Sequence, residues 1–323
     1  MTLWMKAPIV LAVFAILLLA IVLIGEYLRQ FERAALIEKF INKSPTEKLL
    51  KVDYESLKDL PMPVQKYFQN VLTNGQPFIK TSWLEQNGKL KISPKSADWS
   101  AFKASQIISQ DTVSFLWDAK INIAPLFYVR VRDSLIGGFA AGKVYLMSVL
   151  PISSDKNTLE LNSGALYRYL AEAVWHPTAL LPQSGIIWES VDEKKAIANF
   201  TKFNISISLE FTFNNHGEII KIYTRDRYGK FGGKYIKYPW EGRFSNYKEF
   251  DGIKIPTKGK LVGIFLMDGG CFGRGILLKQ SLNLTIHRIR LTSTWREIRS
   301  QSAVSYFSRQ TLDLLNIRTN IKK

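Results

Sequence analysis

Sixteen consecutive residues, Ile9–Ile24, carry no polar side chain; thirteen are Ile, Leu, Val or Phe and three are Ala. A helix buried in a soluble core rarely runs this long without a polar position. At about 1.5 Å per residue, the segment Ala7–Gly25 nearly matches a hydrocarbon core of about 30 Å. Its transfer into a bilayer is favoured by roughly 6 kcal/mol. A cleaved signal peptide is the rival reading, but Leu23 and Gly25 make a poor small-x-small cleavage site. Residues 1–25 therefore read as an uncleaved single-pass anchor in the cell membrane. Its orientation stays open. Arg29, Arg33, Lys39 and Lys43 after the span place the domain in the cytoplasm, whereas a short basic leader before a long apolar run reads as a signal-anchor that exports it.

After the anchor, residues 26–59 read as a polar helical stem and linker, with a helix start at Ser44-Pro45-Thr46-Glu47. Leu60-Pro61-Met62-Pro63 opens a helix in which Val64, Tyr67, Phe68 and Val71 recur at helical spacing. From Phe78 the period becomes two. Phe115, Trp117, Ala119, Ile121 and Ile123 share one strand face, and Ile205, Ile207, Leu209, Phe211 and Phe213 alternate with polar residues. Asn87-Gly88, Asn214–Gly217 and Asp251-Gly252 read as tight turns. Short connections require antiparallel pairing, so residues 60–257 are expected to form one α+β domain around a sheet of about nine to eleven strands. The chain carries 44 basic and 27 acidic residues. From Lys258 onward, twelve Lys/Arg against three Asp/Glu suggest a divergent basic region over 258–323. A net excess of this kind favours anionic surfaces and does not specify a fold.

Reaction signatures are few. Gly137-Gly138-Phe139-Ala140-Ala141-Gly142-Lys143 approaches a phosphate-binding loop, but Val144 stands where Ser or Thr must hold magnesium, so a strand turn is the better reading. His176, His216 and His287 have no partners at metal-ligand spacing, and no cofactor or metal is expected. Cys271, the single cysteine, lies in a glycine-rich loop with no assignable base. Between Tyr223 and Phe250, cations alternate with aromatic rings. Paired strands with cations in water, or contact with an anionic lipid surface, fit this better than nucleic acid.

The segment Gly164–Pro182 is the most distinctive. On a helix, Leu166, Leu170 and Ala173 share one face, and Arg168, Glu172 and Trp175 lie on the other. A helix so apolar around its circumference is expected to be enclosed by the sheet, with Arg168–Glu172 an internal ion pair beneath Trp175.

The run Arg168-Tyr-Leu-Ala-Glu-Ala-Val-Trp175 with Pro177-Thr-Ala-Leu-Leu-Pro182 resembles an uncharacterised bacterial family, a domain of unknown function often preceded by a membrane helix. Leu60-Pro61-x-Pro63, Phe115-x-Trp117-x-Ala119, Arg132-Asp133, Gly185-Ile-x-Trp188-Glu189 and Trp240-x-Gly242 extend the resemblance over about Leu60–Pro256. It implies a curved, half-barrel-like sheet similar to that of periplasmic lipoprotein carriers, with helices over a concave face that holds acyl chains. It implies no known activity. The family pattern is lost after about Lys258.

Three functions fit. A module binding a lipid or other apolar ligand needs a cavity lined by Trp117, Leu170 and Phe211, with Arg168, Glu172 and Trp175 beside it. An enzyme needs Arg168, Glu172 and Asp192 converging at a pocket mouth. A structural or envelope-interaction protein needs a filled interior and an exposed apolar patch.

Overall fold

Strand alternation builds most of the molecule. In the computed structural model, described over residues 3–42, 50–91, 98–231, 233–267 and 275–292, the chain begins with one continuous helix, α1 (Leu3–Asn42). Helix α2 (Met62–Val71) follows, started by Pro61 and Pro63, with Val64, Tyr67, Phe68 and Val71 buried as their spacing requires. Six strands then form a meander: β1 (Thr81–Leu90), β2 (Ser100–Ser109), β3 (Ser114–Ala124), β4 (Phe127–Ile136), β5 (Phe139–Leu146) and β6 (Leu150–Lys156). Helix α3 (Leu159–Glu172), N-capped by the Thr158 side chain, leads through short 3-10 turns into a second meander. Its strands are β7 (Ile186–Asp192), β8 (Lys195–Lys202), β9 (Ile205–Phe213), β10 (Ile219–Phe231), β11 (Lys234–Phe250), β12 (Ile253–Met267) and β13 (Gly275–Thr292).

All thirteen strands form one antiparallel sheet in the order β6-β5-β4-β3-β2-β1-β13-β12-β11-β10-β9-β8-β7. The α+β class and large curved sheet expected from the sequence are present. The sheet curls strongly. The β4–β5 turn meets the β8–β9 turn so closely that a Cβ on Gly138 would lie 2.8 Å from the Phe203 ring. Lys230 of β10 pairs with Asp155 of β6. Helix α3 lies across the concave face against β9, β10, β4 and β5. One continuous apolar cluster fills the space between, joining Phe68, Phe115, Leu170, Trp175, Leu209, Phe211 and Ile255.

Three expectations need correction. Asn87-Gly88 is not a hairpin turn; β1 runs straight through it, Asn87 facing Lys103 of β2 and Thr285 of β13. Pairing on both edges overrides the local turn preference. The sheet also does not end near residue 257. Strand β12 crosses that boundary, and β13 joins the two meanders by pairing with β12 and β1. Arg288 and Arg290 belong to β13, whereas Cys271, Arg296, Arg299 and the expected start at Ser44–Glu47 lie outside the described residues. Finally, the polar half of α1 is no free stem. Gly25, Glu26, Arg29, Arg33, Leu36 and Ile37 recur every three or four residues, and this face lies against the outer surface of the sheet.

Candidate functional site

Two polar clusters occupy opposite faces of the β2–β4 region. On the concave side, Arg168 and Glu172 lie one turn apart on α3 and pair at 2.8 Å. Arg168 also reaches Asp133 of β4 at 2.9 Å. Its guanidinium sits 5.0 Å from the ring centres of both Phe115 and Trp117, a cation–π arrangement with two rings of one strand face. From the other carboxylate oxygen of Glu172 a relay of amides runs into the sheet. Gln106 Nε2 donates to Glu172, Gln86 Nε2 to Gln106 Oε1 (2.8 Å), and Trp117 Nε1 to Gln86 Oε1 (2.9 Å). Burial alone would weaken the hold of Arg168 on its proton, but Glu172 and Asp133 more than offset this, so the guanidinium stays charged. Each group of the relay is satisfied by the next, the condition under which buried polar groups are tolerated.

Of the residues singled out in the sequence, the fold brings together Arg168, Glu172 and Trp117. Trp175 does not cover the ion pair. The helix ends at Glu172, a 3-10 turn follows, and Trp175 instead donates to the Pro256 carbonyl (3.0 Å) and stacks edge-on against Phe244. Phe211 packs on Trp188, and Leu170 is wholly enclosed in the core. Trp117, Leu170 and Phe211 are 6%, 0% and 0% exposed. Two depressions, of about 700 and 550 Å³, are lined by Lys89, Lys221, Arg243, Lys258 and Lys260 and by Lys89, Lys103 and Lys120, and none of the three apolar residues borders either. Among the described residues no group of His, Cys, Asp and Glu could hold a metal.

Sequence reasoning missed Gln86, Gln106, Asp133 and Phe115 as members of this cluster. Asp133 was accessible in principle. It lies in the Arg132-Asp133 motif, and strand alternation sends neighbouring side chains to opposite faces. Also missed was a fully buried pair, Ser82 with His176. His176 Nε2–H donates to the Ile79 carbonyl (2.9 Å), which leaves Nδ1 to accept from Ser82 Oγ (2.6 Å). Burial pushes the imidazole down to about 3, only partly countered by that carbonyl. With both residues 0% exposed, the pair fastens the turn after α3 to β1 and offers no surface to a substrate.

The convex side holds the second cluster. Asp118 of β3 lies between two guanidinium groups of β4, its oxygens 2.6–2.8 Å from Arg130 and 2.6–2.7 Å from Arg132. Arg130 continues to Glu26 of α1 (2.7 Å) and Arg132 to Glu32 (3.2 Å) and the Arg29 carbonyl (2.6 Å). Glu26 also takes Lys120 at 2.9 Å and the Tyr128 and Ser148 hydroxyls. The Arg29 guanidinium lies over the Tyr145 ring, and Ile37 packs with Ile107 and Leu116. At Gly25 the contact is so close that a Cβ would meet the Val149 side chain at 2.7 Å and the Ser148 carbonyl at 2.9 Å. The helix thus leaves its apolar stretch and is clamped at once to the sheet.

Among proteins of known sequence families, residues 51–267 match the model described as "Family of unknown function (DUF6544)", and the chain belongs to that family. This agrees with the resemblance carried by its motifs. No curated protein matches the chain. Solved structures to which the chain shows a likeness include a Vibrio parahaemolyticus domain described as outer membrane lipoprotein-sorting, at 10% identity and a TM-score of 0.39, covering 73% of this chain and 93% of that one. Another is a beta-barrel-like protein of a domain of unknown function, DUF1849, from Brucella abortus, at 7% identity and a TM-score of 0.22, covering 67% and 99%.

Proposed function

We propose that this DUF6544 member is a single-pass, membrane-anchored, non-catalytic protein of the cell envelope that acts through its outer surfaces. The observation carrying this reading is the continuity of α1. In the apolar run Ile9–Ile24 the large side chains stand mostly in the open, Leu11 at 67% and Ile16 at 64% exposed, and the same helix is clamped to the sheet from Gly25 to Ile37. An apolar surface of that size needs an apolar surrounding. A cleaved leader would take the N-terminal part of this helix away from a clamp that begins at Gly25. The satisfied Arg168 relay and the enclosed Ser82–His176 pair support a non-catalytic role. The full-length protein should stay with membranes after an alkaline wash and retain its N-terminal peptide by mass spectrometry. A mature chain starting at Glu26, or release by the wash, would refute the anchor.

A second reading keeps Trp117, Leu170 and Phe211, with Arg168, Glu172 and Trp175, as the surroundings of an apolar ligand such as a lipid. It is favoured by the single layer that α3 makes over the concave face and by the position of Asp133, 38% exposed, at the edge of the Arg168 cluster. Lifting α3 would open the apolar cluster. Lipid bound at about one molecule per chain after detergent exchange, and lost in Leu170→Trp, would favour this reading over the first.

A further inference from the structure

We infer that two neighbouring hairpin tips, at the β3–β4 and β5–β6 turns, insert their apolar side chains into the bilayer beside α1, so that the domain rests on the lipid surface as well as being tethered to it. The inference rests on the anchor reading and adds a second membrane-contacting surface.

Six apolar side chains at these tips are exposed: Ile123 (42%), Leu126 (92%), Phe127 (53%), Val149 (40%), Leu150 (59%) and Ile152 (56%). The tips are adjacent, because the Met147 amide donates to the Tyr128 carbonyl (3.0 Å). Exposed apolar surface gathered in this way marks a contact site. Its occupant follows from the course of α1. From Glu26 through Arg29 and Glu32, the helix meets Tyr128, Arg130 and Arg132 in turn, so it runs alongside β4 in the same direction. Traced backwards, it passes Ser148 and Val149 at Gly25. Leu126 lies two residues before Tyr128, up to about 7 Å further along at the rise of a strand. On the helix that distance is about four residues, which brings Leu126 level with Val22, inside the apolar run. Val22 and Ala20 are half-buried, unlike the residues around them in the run.

The groups just above the tips are those of a membrane interface. Tyr27 (58% exposed), Tyr128 and Tyr145 surround the Glu26–Arg29 level of the helix, where amphipathic rings favour the headgroup region. Lys120 and Lys103 face each other across β3 and β2 at the height of Glu26 and point outward. Cations at this height attract anionic headgroups by roughly 1 kcal/mol each. Apolar tips below, a ring of tyrosines and lysines above, and a spanning helix clamped between them form one surface fitted to a bilayer.

The test uses the full chain in phosphatidylcholine–phosphatidylglycerol vesicles, with Cys271→Ser as background and a single nitroxide label at Leu126→Cys, Leu150→Cys or Leu17→Cys. Collisions with oxygen and with a water-soluble nickel chelate report depth. Loss of nickel-chelate collisions at Leu126 and Leu150, together with loss at Leu17, is expected. Labels at Leu126 and Leu150 freely accessible to the chelate, with Leu17 protected, would overturn the inference and leave the anchor standing. Accessibility at Leu17 would overturn both.

Discussion

Replacing Asp118 by alanine removes the one carboxylate between Arg130 and Arg132, whose side chains, like that of Asp118, are 4% exposed. Breaking a buried ion pair by deleting one partner costs about 3–5 kcal/mol, because the remaining charge is left without compensation. Here each guanidinium keeps one other carboxylate, Glu26 for Arg130 at 2.7 Å and Glu32 for Arg132 at 3.2 Å. That places Asp118→Ala at the low end, about 3 kcal/mol. Asp118→Asn retains the volume and an acceptor oxygen, and should cost roughly 1–2 kcal/mol. Denaturant unfolding of the micelle-bound protein, followed by near-ultraviolet circular dichroism, reads the loss as a lower midpoint at constant slope. Amide exchange over residues 26–37 should rise in Asp118→Ala more than exchange over α3, since the cluster joins α1 to the sheet. Glu55→Ala, which removes an exposed pair with Lys58, should leave the midpoint in place. If Asp118→Ala behaves like Glu55→Ala, with α1 exchange unchanged, the cluster is solvated and the clamp does not exist.

On the concave side, Leu170→Ala should destabilise by about 2–5 kcal/mol, as expected for a fully enclosed leucine. Glu172→Ala should cost several times more than Glu249→Ala, because Glu249 is exposed whereas Glu172 is buried with Arg168 and Gln106; equal effects would remove the basis for an enclosed helix. His176 predicts a pH dependence with a definite sign. Its imidazole stays neutral in the folded protein down to about 3 but takes a proton near 6.5 once unfolded. The unfolded state therefore binds the extra proton between these values, and stability falls as pH drops through that window, by up to about 4–5 kcal/mol. The contribution is complete above about 6.5. His176→Gln should flatten this part of the stability profile, and an unchanged slope would contradict the assignment.

What the sequence could reveal depended on whether the deciding interaction was local. Strand β9 was legible because Ile207, Leu209, Phe211 and Phe213 face the core while Ser206 and Ser208 face water. Helix α3 was legible for the same reason, and its Arg168–Glu172 pair followed from i, i+4 spacing. The clamp on α1 was not. Its partners Glu26, Asp118, Arg130 and Arg132 come from separate segments, and a charged residue alternating with Phe115, Trp117 and Ala119 reads as facing solvent. Strand β3 is instead buried on both faces at Leu116 and Asp118 because α1 and the β4 arginines cover its outer side. Asn87-Gly88 and the basic residues after Lys258 misled through the same limit. Local turn preference and composition carry no information about the strands that flank β1 and β13. In the Arg168 cluster, Gln86 and Gln106 share the core-facing side of their strands with Leu84 and Ile108, but their spacing does not show which helix will meet them there.

The central claim is that the long N-terminal helix α1 and the sheet are one body, and the Glu26–Lys120 contact tests it most directly. A carbodiimide joins a carboxylate to an amine only where the two already touch, as Glu26 and Lys120 do at 2.9 Å. Lys195 and Glu210, 3.2 Å apart on β8 and β9, provide an internal reference within the sheet. Treated in native membranes and digested, the protein should yield the Glu26–Lys120 cross-linked peptide together with the Lys195–Glu210 one, and Asp118→Ala should reduce only the first. Recovery of the Lys195–Glu210 product alone from the unaltered protein would contradict the claim, because α1 would then stand free of the sheet.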